Sequence, residues 1–392
     1  MAASSAYTQD WISARYQFKN DTAEARIYSS AQINTNSNTW NQSLINALLY
    51  GDYLEETPQQ NALNNSSLHN RASVQTSIEL GVESKINDRT SLYLGVGDRT
   101  VGMADVSKDL NEFILAGNKS FAGDTINADN SSFSLMRFQE FKLGLRYQSM
   151  NQTFGIEASI LNGELFQEFD IKTGRLYTDP IGSELSYDLD ISRARSDSAR
   201  TGLLAPNGIG MSFNLFYALD AKDYRIYLGV NDIGWISWND QSISNRYVSE
   251  EEWEATNVTH GEDAGLNINI QDSIQSFESF ENKSLSRMLP ALLFGGIQFE
   301  KRNYTHEIYA NWRLNRAFVP WVQYRMTYQV RKELSSFIQV GAGGSGNYFV
   351  GLGTQLSFGP FQTSFALTNM EGLLFPNRTA GIGGAVQMMI QL

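Results

Sequence analysis

The 392-residue chain contains no cysteine, which excludes disulfides, thiolate metal centres and cysteine nucleophiles. Histidine is almost as scarce. Only His69, His260 and His306 occur, too few to suggest a zinc cluster or an imidazole-based mechanism. Basic residues are outnumbered, 30 Lys and Arg against 42 Asp and Glu, for a net charge of −12. No excess of positive charge is available to displace phosphate counterions, so nucleic acid is not an expected partner. No apolar run reaches the roughly 18 residues of a membrane helix. The opening MAASSAYTQDW has neither the basic start nor the apolar core of a secretory signal. If the protein is exported, the sequence as given is expected to be the mature chain without its leader. Proline is rare at 7 residues, whereas glycine numbers 32 and aromatics make up 12%. That balance suits glycine-punctuated strands better than helices.

Strands are what the pattern delivers. In RASVQTSIELGVE the apolar positions are Ala72, Val74, Ile78, Leu80 and Val82, with Arg71, Gln75, Glu79 and Glu83 between them. Leu92, Leu94 and Val96 continue after a turn at INDRT, and FKLGLRYQ sets Phe141, Leu143, Leu145 and Tyr147 opposite Lys142 and Arg146. IGMSFNLFYAL, YRIYLGV, YTHEIYANWRL, PWVQYRMTYQV, YFVGLGTQLSF and FQTSFAL repeat the period with short turns between, which reads as hairpins in series. The segments reach about 9–11 residues or more, the length of a tilted membrane-crossing strand. Aromatics such as Tyr147, Tyr217, Tyr304, Trp312, Tyr324, Tyr328 and Phe358 sit on the apolar face, as in the interfacial girdles of membrane barrels. Short turns alternate with long polar insertions at 108–134, 192–206 and 241–263. The expected fold is all-β: one closed antiparallel transmembrane β-barrel of about 14 strands. It rises to 16 if ISARYQFK and EARIYSSAQIN both enter the wall. A large soluble β protein would alternate too, but it would leave long hairpins with exposed edges that closure removes.

The period breaks in NTWNQSLINALLYGDYLEE, where Trp40, Leu44, Leu48 and Leu49 approach helical spacing. Residues 34–66 are therefore expected to form a helix or loop insertion, capping the barrel or folded into its lumen, within a single domain covering 1–392. The chain ends in TAGIGGAVQMMIQL, still alternating, with Ile382, Val386, Met388, Ile390 and Leu392 on one face. A terminus of this kind is expected to be the closing strand, paired with the first.

The stretches DLNEFILAGNKSFAGDT, SLMRFQEFKLGLRY, GIEASILNGE, GRLYTDPIGSELSYDLD and VNDIGWISWND, in that order, resemble an uncharacterised family of Bacteroidota outer-membrane β-barrels, similar in build to the long-chain fatty-acid transporter barrels. The resemblance covers Ser67 to Leu392. It implies an outer-membrane location and a lumen partly filled by chain, and it brings no catalytic residues. The chain departs from these relatives in lacking their Asn-Pro-Ala segment near the amino terminus.

Motifs that could carry chemistry are few. Gly341, Gly343 and Gly346 satisfy G-x-G-x-x-G, but an alternating strand follows where dinucleotide binding needs a helix. His306 falls on the outward face with no serine in a neighbouring register. Glu250, Glu251, Glu252, Glu262 and Asp263 lack EF-hand spacing, and Asp188 and Asp190 are two same-face carboxylates on one strand. No catalytic residue, cofactor or metal site is expected.

The inward face is more telling. Consistent alternation places Arg71, Glu79, Glu83, Lys142, Arg146, Arg225, Glu307, Arg313, Arg325 and Arg331 in the lumen, together with Tyr309 and Trp321. Charges of both signs there should pair, because an unpaired buried charge is costly. Such a lumen disfavours an open porin, and its polarity weakens a fatty-acid conduit, whose pocket should be apolar. Two roles stay open. One is a non-enzymatic accessory or scaffold subunit of an outer-membrane protein complex for surface-protein export or assembly. The other is a gated passive conduit for a small hydrophobic ligand. Outer-membrane lipid is the expected surrounding in both.

Overall fold

A computed structural model describes residues 23–51, 53, 55–180, 184–197, 206–254 and 281–392. Fourteen antiparallel strands form a closed ring. They are β1 (Ala25–Ser37), β2 (His69–Asn87), β3 (Thr90–Ser107), β4 (Ser131–Ser149), β5 (Gln152–Thr178), β6 (Gly208–Asp220), β7 (Tyr224–Trp238), β8 (Leu292–Lys301), β9 (Tyr304–Arg313), β10 (Val319–Arg331), β11 (Leu334–Gly344), β12 (Tyr348–Phe358), β13 (Phe361–Asn369) and β14 (Ile382–Gln391). The short strand Leu285–Met288 continues the β8 position along the upper part of β7. The expected 14 is the number found. EARIYSSAQIN supplies β1, and ISARYQFK lies outside the described residues.

Closure is made where the amino-acid pattern demanded it. β14 pairs with β13 on one side and with β1 on the other, from Arg26 opposite Gln391 to Thr35 opposite Ile382. The carboxyl terminus cannot fray, because its backbone is held on both sides, and Met388 and Leu392 project outward. Exposed apolar side chains ring the outside: Ile78, Leu80 and Val82 on β2, Leu94 and Val96 on β3, Phe141, Leu143 and Leu145 on β4, and their counterparts around the wall. An outer belt of this kind is stable only against hydrocarbon, and a closed sheet satisfies every backbone group across it. No helix among the described residues is long and apolar enough to cross a membrane; the strands do the crossing.

The two ends differ. β2/β3, β4/β5, β6/β7, β8/β9, β10/β11 and β12/β13 are joined by connections of two or three residues, all at one end. There Tyr147, Phe154, Tyr224, Tyr304, Tyr328, Phe358 and Phe361 form an exposed aromatic row. The long connections lie at the other end. Between β1 and β2, residues 38–68 carry α1 (Gln42–Tyr50) and α2 (Glu56–Asn64), and α3 (Lys108–Ala116) follows β3. Asn41 caps α1 by accepting the Leu44 N–H at 3.0 Å, and Gly51 ends it at φ +71°. The three helices share a small core of Leu44, Ala62 and Leu115, and the Trp40 indole donates to Asn111 Oδ1 at 2.7 Å. Backbone bonds from the Gln42 and Ser43 N–H groups to the Thr379 and Pro376 carbonyls tie α1 to the connection between β13 and β14.

β5 is long because its two halves pair with different strands. Gln152–Gly163 pairs with β6. Glu164 is an extra residue opposite Arg137 and Phe138 on β4, a bulge of the kind that bends a strand locally. Gln167–Thr178 then pairs with the strand Glu184–Arg195, and that strand with Ile243–Glu254. This ribbon rises from the loop end. On its surface Arg246 grips Asp190 with two bonds of 2.8 and 2.9 Å, which lowers the Asp190 pKa and raises that of Arg246.

Candidate functional site

The candidate site is the lumen. Its inward face carries both charged and large aromatic side chains. The first cluster lies on β1, β2 and β4. Glu83 receives Arg146 at 2.5 Å and Arg26 at 3.6 Å, and accepts the Tyr28 hydroxyl at 3.0 Å. Two inward positions further from the tight turns, Glu79 holds Lys142 at 2.7 Å and accepts the Tyr93 hydroxyl at 2.5 Å.

Lys142 then hands the chain of contacts on. Its ammonium lies 2.9 Å from Glu140, Glu140 meets Arg99 at 3.0 Å, and Arg99 bonds Asp232 through both nitrogens at 2.6 and 2.8 Å. Asp232 also faces Arg313 at 3.4 Å. Alternating charges therefore link β2, β4, β3, β7 and β9 across the interior. Each of Glu79, Glu140, Lys142, Asp232 and Arg313 is buried. In that low-dielectric setting pairing is what makes the charges tolerable.

A third cluster lies across the barrel. Glu307 on β9 takes Arg325 of β10 at 3.3 Å and the Tyr227 hydroxyl of β7 at 2.5 Å, while the same guanidinium donates to Gln339 Oε1 at 3.0 Å and stacks over Phe337. Above it the lumen turns aromatic. Tyr227, Tyr309, Phe294, Phe216, Trp321 and Phe349 form one buried cluster, with Tyr309 edge-on to Trp321 at 5.8 Å and Trp321 stacked on Phe349 at 4.6 Å.

Of the residues that alternation assigned inward, Glu79, Glu83, Lys142, Arg146, Glu307, Arg313, Arg325, Tyr309 and Trp321 meet in these clusters. Arg225 is buried near the tight turns and pairs with Asp220 at 3.5 Å. Arg71 is half-buried at the loop end of β2 with no ion pair among the described residues. Arg331 is a correction: it is exposed, not in the lumen. The register of β10 slips between Gln329 and Arg331, and the strand ends there, so the alternation that holds for Arg325 no longer applies.

Several members of the network escaped the sequence reading. Arg99 and Glu140 share the parity of Tyr93 and Lys142, so following the pattern further along β3 and β4 would have found them. Arg26 and Tyr28 required knowing that β1 is in the wall. Asp232 had no signal. It has φ +63° at a register shift where β7 passes Phe213–Leu215 of β6, and both it and Asn231 are buried. A bulge turns two successive side chains inward, which strict alternation forbids.

The other motifs resolve simply. Gly343 and Gly344, at φ +103° and +69°, lead from β11 into the hairpin to β12. His306 lies among the outward aromatics, stacked near Tyr304 and bonded to the Tyr324 hydroxyl at 2.7 Å. His69 contacts Asp105 at 3.2 Å at the loop end. Of the acidic loop only Glu250, Glu251 and Glu252 fall within the described residues, and His260, Glu262 and Asp263 lie outside them. Among the described residues no group of acidic and histidine side chains is disposed to hold a metal ion.

Solved structures similar to this chain include the Pseudomonas putida toluene transporter TodX, at 9% identity and a TM-score of 0.45 over 95% of this chain and 91% of that one. A Pseudomonas aeruginosa FadL homologue follows at 9% identity and 0.46, over 94% and 90%. The translocator domain of the autotransporter NalP from Neisseria meningitidis gives 8% and 0.37, over 97% and 92%. Likenesses this distant carry no argument about what the chain moves or holds. No curated protein matches the sequence. Residues 27–368 match the model described as "Family of unknown function (DUF5723)", and the chain belongs to that family.

Proposed function

We propose that this is an integral outer-membrane protein without enzymatic activity that serves as an accessory or scaffold subunit of a surface-protein export or assembly machine. One observation carries the reading: the lumen is braced by linked ion pairs whose members, among them Arg26, Glu307, Arg313 and Arg325, are at most 2% exposed. Charges held in this way narrow the interior at their level, and they oppose an apolar solute, which would have to displace paired ions. A braced barrel is a rigid platform, and the ribbon and helices at its loop end offer surface for assembly. Native-membrane extraction followed by affinity purification tests this. A partner retained in fixed stoichiometry is the expected result, and a monodisperse single barrel would sink the scaffold reading.

A second reading keeps one specific observation. The buried aromatic cluster around Trp321 and Tyr309 is the kind of surface a small hydrophobic solute could use in a gated conduit. Accumulation of a toluene-sized tracer in liposomes, lost on Trp321→Ala in a barrel that remains folded, would favour the conduit.

A further inference from the structure

The outer wall carries a groove of about 920 Å³. Two neighbouring rows of outward side chains make it. The first follows the strand register from Ser336 on β11 through Phe365, Val386 and Ala31 to Ile78 and Asp98 on β3. The second runs beside it through Ile338, Leu352, Leu367, Gly384 and Ile33. Small residues at its middle, Ala31 and Gly384, leave the wall low between larger walls on either side. Because the strands are staggered, the rows climb. Ser336 is two residues from the tight-turn end of β11, whereas Asp98 is eight from that end of β3. Six inter-strand steps of about 4.8 Å make the rows roughly 29 Å long, and the six-residue offset, at about 3.3 Å per residue, gives them a climb of at most roughly 20 Å.

The groove is apolar along its length and changes character at its upper end. Beyond Asp98 the same row becomes Gln139 and Asn162, joined by a 2.8 Å bond. The Arg137 guanidinium lies 3.3 Å from Asp98 and 3.3 Å from Glu164. The Arg137 side chain remains 40% exposed and that of Asp98 25%. This cluster of two carboxylates and one guanidinium is short of one positive charge. It would repel a polyanionic headgroup. A headgroup with one phosphate and one ammonium adds no net charge, so it escapes that repulsion and can set its ammonium on Asp98 and its phosphate toward Arg137.

We propose that this groove is a binding site for one phospholipid with an amine headgroup, its acyl chain lying along the slanting rows and its headgroup at Asp98 and Arg137. The proposal stands apart from the scaffold and conduit readings, because it concerns the outer wall and not the lumen. The test is native mass spectrometry of the full chain, stripped in detergent and re-exposed to mixed micelles containing phosphatidylethanolamine, phosphatidylglycerol or lipid A. One retained phosphatidylethanolamine per chain is expected, favoured about tenfold over either alternative, the factor that about 1.4 kcal/mol supplies. A side chain at Gly384 would meet nothing nearer than the Ala366 carbonyl at 3.9 Å, so Gly384→Phe fills the groove without straining the wall. It should abolish retention while the gel-mobility shift on heating persists. Asp98→Asn should keep binding and lose the headgroup preference, and Ala158→Phe, on the outer face of β5, should change neither. Undiminished retention by Gly384→Phe, equal retention of all three lipids, or a protein cross-linked from position 384 in native membranes would each overturn the proposal.

Discussion

Strands β2–β5 run from 18 to 27 residues, whereas β8–β13 run from 9 to 13. Both halves present the same apolar outer face to lipid, yet their inner faces are built differently. The long strands meet across the lumen through relayed charges, from Glu79 through Lys142, Glu140 and Arg99 to Asp232. The short ones meet through stacked rings and the Arg325–Glu307 pair, with Arg313 of β9 closing the relay on Asp232. The comparison teaches that a barrel's outside is dictated by its solvent while its inside is a free choice between two costs. Ion pairs must repay desolvation and demand exact partners; aromatic packing repays through contact area and tolerates small shifts. The half that projects beyond the wall, as the ribbon built on β5, is the half locked by charge.

The largest expected effect breaks the relay at its junction. Asp232→Ala removes the carboxylate that Arg99 and Arg313 share, leaving Arg313 only the Pro290 carbonyl at 3.0 Å among its described partners. An uncompensated buried guanidinium should cost about 3–5 kcal/mol, read as a lower urea midpoint for unfolding from lipid vesicles. Trp321→Ala in the aromatic half should cost about 3 kcal/mol through lost contact and an unfilled space. The two should also differ in kind. Adding Arg313→Met to Asp232→Ala should recover part of the loss, because it removes the stranded charge. No single second substitution should refill the cavity at Trp321.

The outer face of this fold was legible because one rule, alternation against lipid, governs every strand. Ile78, Leu143, Ile308 and Val386 could be placed from the sequence, and so could the closing strand. The lumen was legible only while strands stayed regular. Glu79, Lys142, Arg325 and Glu307 followed from parity alone. Asp232 did not, since its position depends on a bulge whose only local mark is an aspartate at positive φ, and Arg331 failed because the register slips just before it. Which carboxylate meets which guanidinium could not be read at all. Partners such as Arg99 and Asp232 are 133 residues apart, and only the closed ring brings them together. The groove was invisible for the same reason: its first row is assembled from seven separate strands.

Glu371 sharpens the comparison from outside the membrane span. It lies in the connection from β13 to β14, only 5% exposed, and accepts a bond from the Val350 N–H. Burial raises its pKa from 4.5 to about 7. Below pH 4.5 the carboxyl is protonated whether the chain is folded or not, and it adds no pH dependence. Between pH 4.5 and about 7 the folded form holds the proton and the unfolded form releases it, so stability should fall across that window and level off above it. Glu371→Gln should flatten this slope when unfolding midpoints are compared from pH 4.5 to 8. Persistence of the full slope would assign it to another group.

The smallest effect tests whether the two halves differ in partners or only in geometry. Each contains a buried tyrosine hydroxyl 2.5 Å from a glutamate that also holds a cation: Tyr93 on Glu79 with Lys142, and Tyr227 on Glu307 with Arg325. Tyr→Phe removes one charge-assisted bond and leaves the ring, so each change should cost about 1.5 kcal/mol on its own. In the charged half the loss should grow when Lys142→Met accompanies Tyr93→Phe, since Glu79 then loses two of its donors. In the aromatic half Tyr227→Phe should nearly add to Trp321→Ala, because the ring that packs against Tyr309 is still in place. Coupling energies from the two double-mutant cycles decide the matter. Equal couplings would mean that the charged relay is no more cooperative than ordinary packing, and the contrast between the halves would reduce to strand length.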